Sequence, residues 1–486
     1  MILRLESLNA VVVKVRNVVL VAALFACVFE LEARSFEIAA WRGETVTARV
    51  EDFAELGAVP EGLRVRFGVL ELVKYAPSAG SLQRLEVYDR VRWGADGEGP
   101  RVVEVFVSAN ARPGVYRCGH MSIRVIDRVL PPPKDWKYHL DLWQHPWAVA
   151  RWARAKPFSK EHYAAMKPVW ELLASAGQKT ITVTILEQPW DHQCYDAYHS
   201  MMTDDFKLFD EYVEFCRDCG LGPYISCYSL CPWSLGKAIN ADALEARWGG
   251  WLERFAAHLK EKGWYDVTYM AMDEREPDDV RKVVEFVRRH APGLKVSMAG
   301  NRKPSDFKGI DIDCYSQILL PDCLTEEFLR EAAERKKKGL KTTFYTCCFP
   351  DAPNMFMSSG EGEAFWQGAF PAFGGLDGFL RWAWNSWPQD PIRDASYGDW
   401  KSGDTFLVYP DGSPSWRFLE LRNGIVAAEK IRIMRERGLF KEELAKVSAR
   451  YNVRTAVTNM CDFVAVRKVT LEVVNFTERH AENTKE

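Results

Sequence analysis

Short apolar segments separated by polar turns fill the region between residues 36 and 128. None of these segments shows the three- or four-residue spacing of apolar positions that an amphipathic helix requires. A pair of runs at 111–116 and 121–125 is typical of a hairpin, which we place around the Pro113-Gly114 turn. The other strand-like runs cover 36–41, 45–50, 63–73 and 102–107. Short strands at this close spacing predict a β-sandwich over residues 35–130.

The pattern changes after Pro131-Pro132-Pro133, which predicts a stiff linker. From Trp136 to about residue 437, apolar runs alternate with segments whose apolar residues recur every three or four positions. Eight strand-like runs can be counted, at 138–143, 180–186, 223–229, 267–272, 294–298, 310–315, 342–347 and 379–384. Eight β-then-α units predict the α/β fold class, with a (β/α)8 TIM barrel over residues 135–437. A doubly wound open sheet would instead carry a Gly-rich phosphate turn after its first strand, and residues 143–147 here are Trp-Gln-His-Pro-Trp.

The two ends of the chain differ from these domains. An apolar run of 12 residues, Val18 to Phe29, follows Lys14 and Arg16 and is too short to span a bilayer. It predicts an export leader over residues 1–34, and the lipoprotein-like box that ends at Cys27 leaves lipidation open; a buried strand is the alternative. We therefore expect a periplasmic, extracellular or envelope-anchored protein without a transmembrane helix in its mature chain.

Residues 438–486 form a predicted C-terminal extension with a short helix (442–451), a strand pair and a disordered polar end from Glu478.

Composition narrows the range of partners. The net charge of -3 gives no reason to expect nucleic acid, and the sequence does not indicate an oligomeric state. The 12 Cys show no repeated spacing of metal ligands, so we expect no metal. Aromatic residues make up 13% of the chain and include 18 Trp, which indicates either large cores or a carbohydrate site, because sugar rings stack on aromatic planes.

The carboxyl ends of barrel strands carry the active site in this fold, and the fourth strand ends in Asp273-Glu274. One interpretation is that these acids cap the next helix, which Pro277 would begin. Neighbouring acids are poorly placed for the ordinary retaining glycosidase, whose carboxyls lie ~5–5.5 Å apart on opposite sides of the anomeric carbon. They suit a sugar whose 2-acetamido group is the nucleophile. Asp273 would then orient the acetamido N–H, and the longer Glu274 would act as general acid and base.

Four segments resemble glycoside hydrolase family 123, the β-N-acetylgalactosaminidases. They are Leu140 to Arg151, Met270 to Glu274, Arg381 to Trp387, and Gly403 to Pro410 followed by Pro414 to Arg417. The resemblance covers roughly residues 36 to 435. It implies retaining, substrate-assisted release of terminal β-linked N-acetylgalactosamine from glycans without a cofactor, with Asp273 as oxazolinium stabiliser and Glu274 as acid/base.

Seven further residues are candidates for binding the sugar. They are Trp384, Asn385, Trp190, Tyr315, Tyr345, Trp143 and His145. An aromatic residue at a strand end can equally be a core residue, and His145-Pro146 can simply turn the chain into its helix. Two alternatives stay open: a β-N-acetylglucosaminidase or hexosaminidase of related mechanism, since nothing identified here reads the C4 hydroxyl, and a non-catalytic carbohydrate-binding protein. The His-x-Gly-Gly lead-in of family 20 hexosaminidases is missing.

Overall fold

The computed structural model describes residues 36–50, 59–119, 121–185, 200–203, 205–228 and 240–476. The predicted leader and the polar end from Glu478 lie outside the described residues, as does Trp190.

Two small sheets form the N-terminal domain. One has the order β1-β7-β6 and the other the order β2-β5-β3-β4. Apolar side chains from both sheets, including Ile38, Val103 and Ile123, meet in one buried cluster, which confirms the predicted sandwich. The strands are β1 (Phe36–Arg42), β2 (Thr45–Val50), β3 (Leu63–Tyr75), β4 (Leu85–Trp93), β5 (Arg101–Val107), β6 (Gly114–Cys118) and β7 (Met121–Val129).

The sandwich departs from the prediction at two places. The hairpin joins β6 to β7 after Cys118 rather than around Pro113-Gly114, because Gly114 is already paired with Val125. Strand β4 was not predicted, because Asp89 and Arg90 interrupt its apolar alternation. Both charged residues are buried against the barrel, so a polar sequence lies in the interior.

Eight parallel strands form the second domain, in the order β8-β15-β14-β13-β12-β11-β10-β9. All eight predicted runs correspond to strands, which confirms the barrel class. The sixth strand begins at Cys314, later than predicted, and Arg288 pairs with Asp311 and Asp313 in the segment before it. The strands are β8 (His139–Leu142), β9 (Thr180–Thr184), β10 (Tyr224–Tyr228), β11 (Thr268–Asp273), β12 (Lys295–Gly300), β13 (Cys314–Ile318), β14 (Lys341–Tyr345) and β15 (Gly378–Arg381).

Two glutamine side chains join the first and last strands in the sheet order, β8 and β9. The Gln178 amide accepts from the Leu142 N–H at 3.0 Å and donates to the Leu142 carbonyl at 3.1 Å. The Gln144 amide accepts from the Thr182 N–H at 2.9 Å and donates to the Thr180 carbonyl at 3.3 Å. Each amide therefore replaces a peptide group of the ladder, and the barrel closes through side chains where the backbones make only the isolated bridge Leu140–Gln178.

Helices surround this barrel. They are α1 (Pro146–Ala153), α2 (Lys160–Ala174), α3 (Lys207–Asp218), α4 (Ala241–Glu261), α5 (Pro277–His290), α6 (Glu326–Lys337), α7 (Glu363–Gly374) and α8 (Trp416–Glu436). The close crossing of α7 and α8 needs glycine, because a Cβ at Gly424 would lie 2.2 Å from the Phe365 carbonyl oxygen. None of the helices in the described ranges has the length and apolar character needed to cross a bilayer.

Helix α8 carries charged side chains into the interface with the sandwich. Arg417 pairs with Asp89 at 2.9 Å, Arg422 with Glu104 at 2.5 Å and Lys430 with Glu44 at 2.6 Å. All six side chains are at least about nine-tenths buried. Removing one partner would leave a buried charge unpaired, so these contacts fix how the two domains dock.

The C-terminal extension is helical up to the last described residues, so the predicted strand pair is wrong. It contains α9 (Lys441–Ser448), α10 (Val453–Val457) and α11 (Phe463–Val474). Asp462 caps α11 by accepting from the Ala465 N–H. The buried positions of α11 recur at helical spacing, at Phe463, Val466, Thr470 and Val474, and this tertiary packing overrides the β propensity of its valines.

Polar residues fill the middle of the barrel. Asp141 lies there beside His139, Ser297 and Ser316, around one narrow internal cavity. Among the described residues, none forms a hydrogen bond with Asp141 Oδ1. Burial raises the pKa of Asp141 to about 7. The folded protein therefore holds a proton there that the unfolded chain has lost, and this contribution to stability falls as pH rises from about 4 to 7.

We predict that Asp141→Asn makes the protein more stable than the parent as pH rises. The advantage should grow by roughly 1.4 kcal/mol per pH unit between about pH 4 and 7, because the amide never ionises. Urea unfolding across this range measures it. The matched control is Asp96→Asn, an exposed aspartate of the sandwich. A stability difference independent of pH would contradict the buried carboxyl described here.

Candidate active site

Strand β11 brings Asp273 to the carboxyl end of the barrel. Its alternate residues separate onto two faces: Met270 and Met272 pack in the main core between sheet and helices, whereas Ala271 belongs to a cluster at the barrel mouth. Asp273 continues the inward set, because side chains two positions apart on a strand share a face. The Asp273 side chain is therefore directed to the mouth, where it is partly exposed.

Glu274 would point away from the mouth if the strand continued. Instead its backbone turns left-handed, with φ of 45°, while its N–H donates to the Ala299 carbonyl at 2.9 Å. A left-handed glutamate is an uncommon, strained conformation of a kind that clusters at functional sites. The turn lets Oε1 accept from the Tyr345 hydroxyl at 2.6 Å and Oε2 accept from Asn301 Nδ2 at 2.9 Å. The side chains of the two neighbouring acids are therefore both directed to the barrel mouth.

An aromatic cluster lines this mouth. The rings of Trp143 and Tyr228 lie 4.5 Å apart, and those of Trp382 and Trp400 lie 4.7 Å apart. We call the set the mouth layer; it comprises Trp143, Tyr228, Ala271, Ala299, Ile318, Cys323, Tyr345, Leu380, Trp382 and Ala383, with Leu320, Cys347 and Trp400 packed against it. Aromatic faces around a carboxyl pair are the surroundings that a sugar ring needs.

A buried ion pair holds the mouth layer from behind. Arg381 pairs with Asp404 at 2.8 Å, and both side chains are 0% exposed. Arg381 also donates to Thr346 and Asn354, both in the loop after β14, while Trp382 donates to Asp404 at 3.3 Å. The network therefore ties the loops after β14 and β15 together around a buried ion pair.

Burial dominates the electrostatics of the two acids. It raises the pKa of Asp273 well above its ordinary value, the Glu274 carboxylate raises it further, and Arg275 opposes the rise. Burial also raises the pKa of Glu274, which the hydrogen bonds from Tyr345 and Asn301 counteract. Two neighbouring carboxyls whose pKa values are both raised retain one proton between them at a pH where isolated carboxyls would both be ionised. The pair can therefore supply one acid and one carboxylate at the same time.

The structure brings four of the predicted site residues together. Asp273, Glu274 and Tyr345 are in contact or adjacent, and Trp143 packs in the same mouth layer. Within the described ranges, no three His, Cys, Asp or Glu side chains cluster in the manner of a metal site.

Other predicted sugar-binding residues lie in the barrel wall. Trp384 is 0% exposed and packs edge-on against Phe418 of α8. Asn385 is equally buried, and its amide exchanges two hydrogen bonds of 2.9 Å with the backbone of His145. The His145 ring bonds the Trp382 carbonyl at 3.2 Å. These three residues lock the segment after β8 to the segment after β15, and they have almost no surface to offer a sugar.

Tyr315 also faces away from the mouth. Its ring packs with Phe307 and Phe328 on the helical side of β13, and its hydroxyl donates to Gln317 Oε1 at 3.2 Å. The inward residues of this strand are instead Cys314, Ser316 and Ile318. Trp190 lies outside the described residues, so its place is not defined.

Asn301 is a site residue that the sequence analysis missed. It directly follows β12, so the rule that sites lie at strand ends would have found it. The predicted strand stopped at Met298, two residues before the true end at Gly300, and no residue was assigned to its end. The same rule identifies Tyr228, the last residue of β10, and Trp382, the first residue after β15. Trp400 lies far along a loop, and its position in the sequence gives no indication that it belongs to the mouth layer.

Comparison with known proteins adds independent information. A family model for the catalytic domain of glycoside hydrolase 123 matches residues 143–434. A family 123 glycoside hydrolase from Clostridium perfringens, described in terms of glycolipid glycan hydrolysis, has a similar structure, with a TM-score of 0.77 and 20% identity over 95% of this chain and 96% of that chain. The GH53 catalytic domain of Ignisphaera aggregans is more distant, with a TM-score of 0.39 and 13% identity over 61% of this chain and 97% of that chain. A search of curated proteins found no match.

We predict that Asn385→Ala destabilises the fold by about 2–4 kcal/mol, because it leaves the buried N–H and carbonyl of His145 without the partner they have in the parent. Urea denaturation gives the difference. Asn301→Ala is the matched control: its side chain is exposed, so the free energy of unfolding should change by no more than about 0.5 kcal/mol. Equal stability of both variants would contradict a structural role for Asn385.

Proposed function

The chain belongs to glycoside hydrolase family 123, and from this membership and the geometry of its mouth we propose that it releases terminal β-linked N-acetylgalactosamine from glycans. The reaction retains the anomeric configuration, because the sugar's own acetamido group acts as the nucleophile. Asp273 and Glu274 are the catalytic residues, and no cofactor takes part. The observation that carries the proposal is the placement of two adjacent acids at the end of one strand, both directed to an aromatic mouth.

The adjacency of the two acids favours the substrate-assisted mechanism over the ordinary retaining one. In the ordinary mechanism one carboxylate attacks the anomeric carbon while the other protonates the leaving oxygen from a separate position across the bond. Asp273 and Glu274 share a peptide bond, and Glu274 is turned by its left-handed backbone toward Tyr345. Both acids therefore approach the sugar from one side, which suits a nucleophile that the substrate supplies.

In the first step, the Asp273 carboxylate accepts the acetamido N–H and holds the amide so that its carbonyl oxygen attacks the anomeric carbon. Glu274 gives its proton to the glycosidic oxygen, and the bond to the leaving group breaks. An oxazolinium forms whose positive charge lies beside Asp273. Glu274 carries the proton of the pair in this step, because the acetamido N–H that donates to Asp273 favours the ionised form of Asp273.

In the second step, Glu274 is ionised and removes a proton from a water that attacks the anomeric carbon. The oxazolinium ring opens, and the acetamido group and the β configuration are restored. Tyr345 and Asn301 donate hydrogen bonds to the ionised form of Glu274, so they support it as the base. Burial favours the protonated form of Glu274 and the two hydrogen bonds favour its ionised form, so one residue can act first as the acid and then as the base.

We predict that Glu274→Gln lowers kcat/KM on aryl β-N-acetylgalactosaminide by about a hundredfold to ten-thousandfold, the usual contribution of a general acid. Asp273→Asn should lose activity as well, because the oxazolinium loses its neighbouring charge. Azide should accelerate Glu274→Ala alone, with the β-glycosyl azide as product. The matched control is Asp278→Asn, an exposed acid in the first turn of α5, which should keep parental rates.

A substrate panel tests the specificity within the same experiment. The galactoside with a 2-hydroxyl in place of the acetamido group should be inert, and the matched N-acetylglucosaminide should be poorer than the N-acetylgalactosaminide. Glycolipid-derived glycans belong in the panel because of the C. perfringens relative. Turnover of the 2-hydroxyl substrate, or parental rates in both acid variants, would refute the mechanism. A preference for the glucosaminide would correct the sugar and leave the mechanism in place.

Tyr345→Phe should move the basic limb of the pH profile of kcat/KM upward by about half to one pH unit. The variant removes a hydrogen bond that stabilises ionised Glu274, so its pKa rises and the acid form persists to higher pH. Tyr315→Phe is the control, since its hydroxyl lies on the helical side of the sheet. A basic limb that stays in place would show that Tyr345 does not tune this acid.

A further inference from the structure

Two adjacent cysteines follow Tyr345 on the loop after β14. The sulfurs of Cys347 and Cys348 lie 3.8 Å apart, and both residues are partly exposed. Six other described cysteines are buried: Cys118, Cys216, Cys219, Cys227, Cys314 and Cys323. Burial makes those residues inert hydrophobic side chains, whereas a close, accessible pair of thiols can be chemically modified.

The pair is part of the active-site surroundings. Cys347 packs against the mouth layer, and its carbonyl accepts from Asn354 Nδ2 at 2.9 Å. Both sulfurs lie close enough to Glu274 and Asp404 for those carboxylates to raise their pKa values. Cys347 lies two residues after Tyr345, whose hydroxyl donates to Glu274. A bond that moves the two cysteines therefore also disturbs this contact.

We propose that Cys347 and Cys348 form a reversible modification site, at which a small disulfide such as oxidised glutathione converts the two thiols into an intramolecular disulfide that impairs the active site. The contact between the sulfurs lowers the pKa of Cys348 and raises that of Cys347, so Cys348 reacts first. The chemistry of the thiols is independent of the proposed function, whereas the loss of activity rests on it.

The exchange has two steps. The Cys348 thiolate attacks one sulfur of the oxidised glutathione, which forms a mixed disulfide and releases one glutathione thiolate. Cys347 then gives up its proton, attacks the Cys348 sulfur and displaces the second glutathione. Two electrons and two protons leave the cysteines, and the two glutathione molecules gain them.

Adjacency makes the product labile. Neighbouring Cα atoms lie about 3.8 Å apart, below the ~4.4 Å lower limit of ordinary disulfides, so the bond is strained and readily reduced. Closing it shortens the sulfur–sulfur distance to about 2.05 Å, which must shift the turn after Tyr345. A displaced Tyr345 loses its hold on Glu274, and misplacement of a catalytic group by an ångström can cost about a hundredfold in rate.

The test treats the full chain with oxidised glutathione and follows intact mass, peptide maps and kcat/KM. We expect loss of two hydrogens on the peptide that contains residues 347 and 348, a fall of about tenfold to a hundredfold in kcat/KM, and recovery with dithiothreitol. Cys348→Ser should keep parental activity under reducing conditions and resist inactivation. Cys461→Ser, which removes a partly exposed cysteine between α10 and α11, should behave like the parent.

Two results would overturn the proposal. One is that residues 347 and 348 stay reduced while other cysteines react, and the other is that the bond forms without a change in turnover. The mass measurement needs no glycosidase activity, so a failure of the proposed hydrolase function would not be confused with a failure at the thiols. Cys348→Ala provides a second variant should serine perturb the loop.

Discussion

The barrel depends on the closure between β8 and β9, where two glutamine side chains take the place of backbone. An amide side chain offers one donor group and one acceptor group in the geometry of a peptide. Gln144 and Gln178 can therefore form the hydrogen bonds between β8 and β9 that the two backbones do not form directly. Trp143 directly follows β8, the strand fastened in this way. Without the two amides the aromatic mouth would lose its support on one side, and the acids at the end of β11 would face an open sheet.

The order of the elements was predicted well from the sequence, because the barrel strands are short runs rich in aliphatic, aromatic and β-branched residues, and the helices between them show apolar residues at three- and four-residue spacing. The facing of side chains was predicted less well. If a strand end is predicted one residue away from its true position, the side chains expected inside the barrel lie outside it. Strand β13 begins later than predicted, and Tyr315 therefore lies on the helical face. Strand β15 ends at Arg381, so Trp384 and Asn385 belong to the wall beyond it. The position of Asp273 and Glu274 at a strand end could be predicted because the strand leading to them is unambiguous.

Features that depend on distant partners could not be predicted. The charged residues of β4 interrupt its apolar alternation, yet Asp89 is buried where it pairs with Arg417, 328 residues later in the chain. The valines of α11 favour strands locally, but their buried positions recur at helical spacing. The left-handed turn at Glu274 has no local signature either, since glutamate is not a residue that favours it. Each of these cases reflects tertiary contacts that outweigh local preference.

The docking of α11 onto the sandwich has a consequence for biosynthesis. The indole of Trp41, which is fully buried, donates to the carbonyl of Val474 across a sequence separation of 433 residues. Arg128 reaches the Phe476 carbonyl at 2.7 Å in the same region. The surface of the sandwich is thus complete only once a segment that lies 433 residues after Trp41 has been translated. A chaperone that shields nascent chains has its natural target in that uncovered face, and full resistance to proteases arises only after translation has passed this segment.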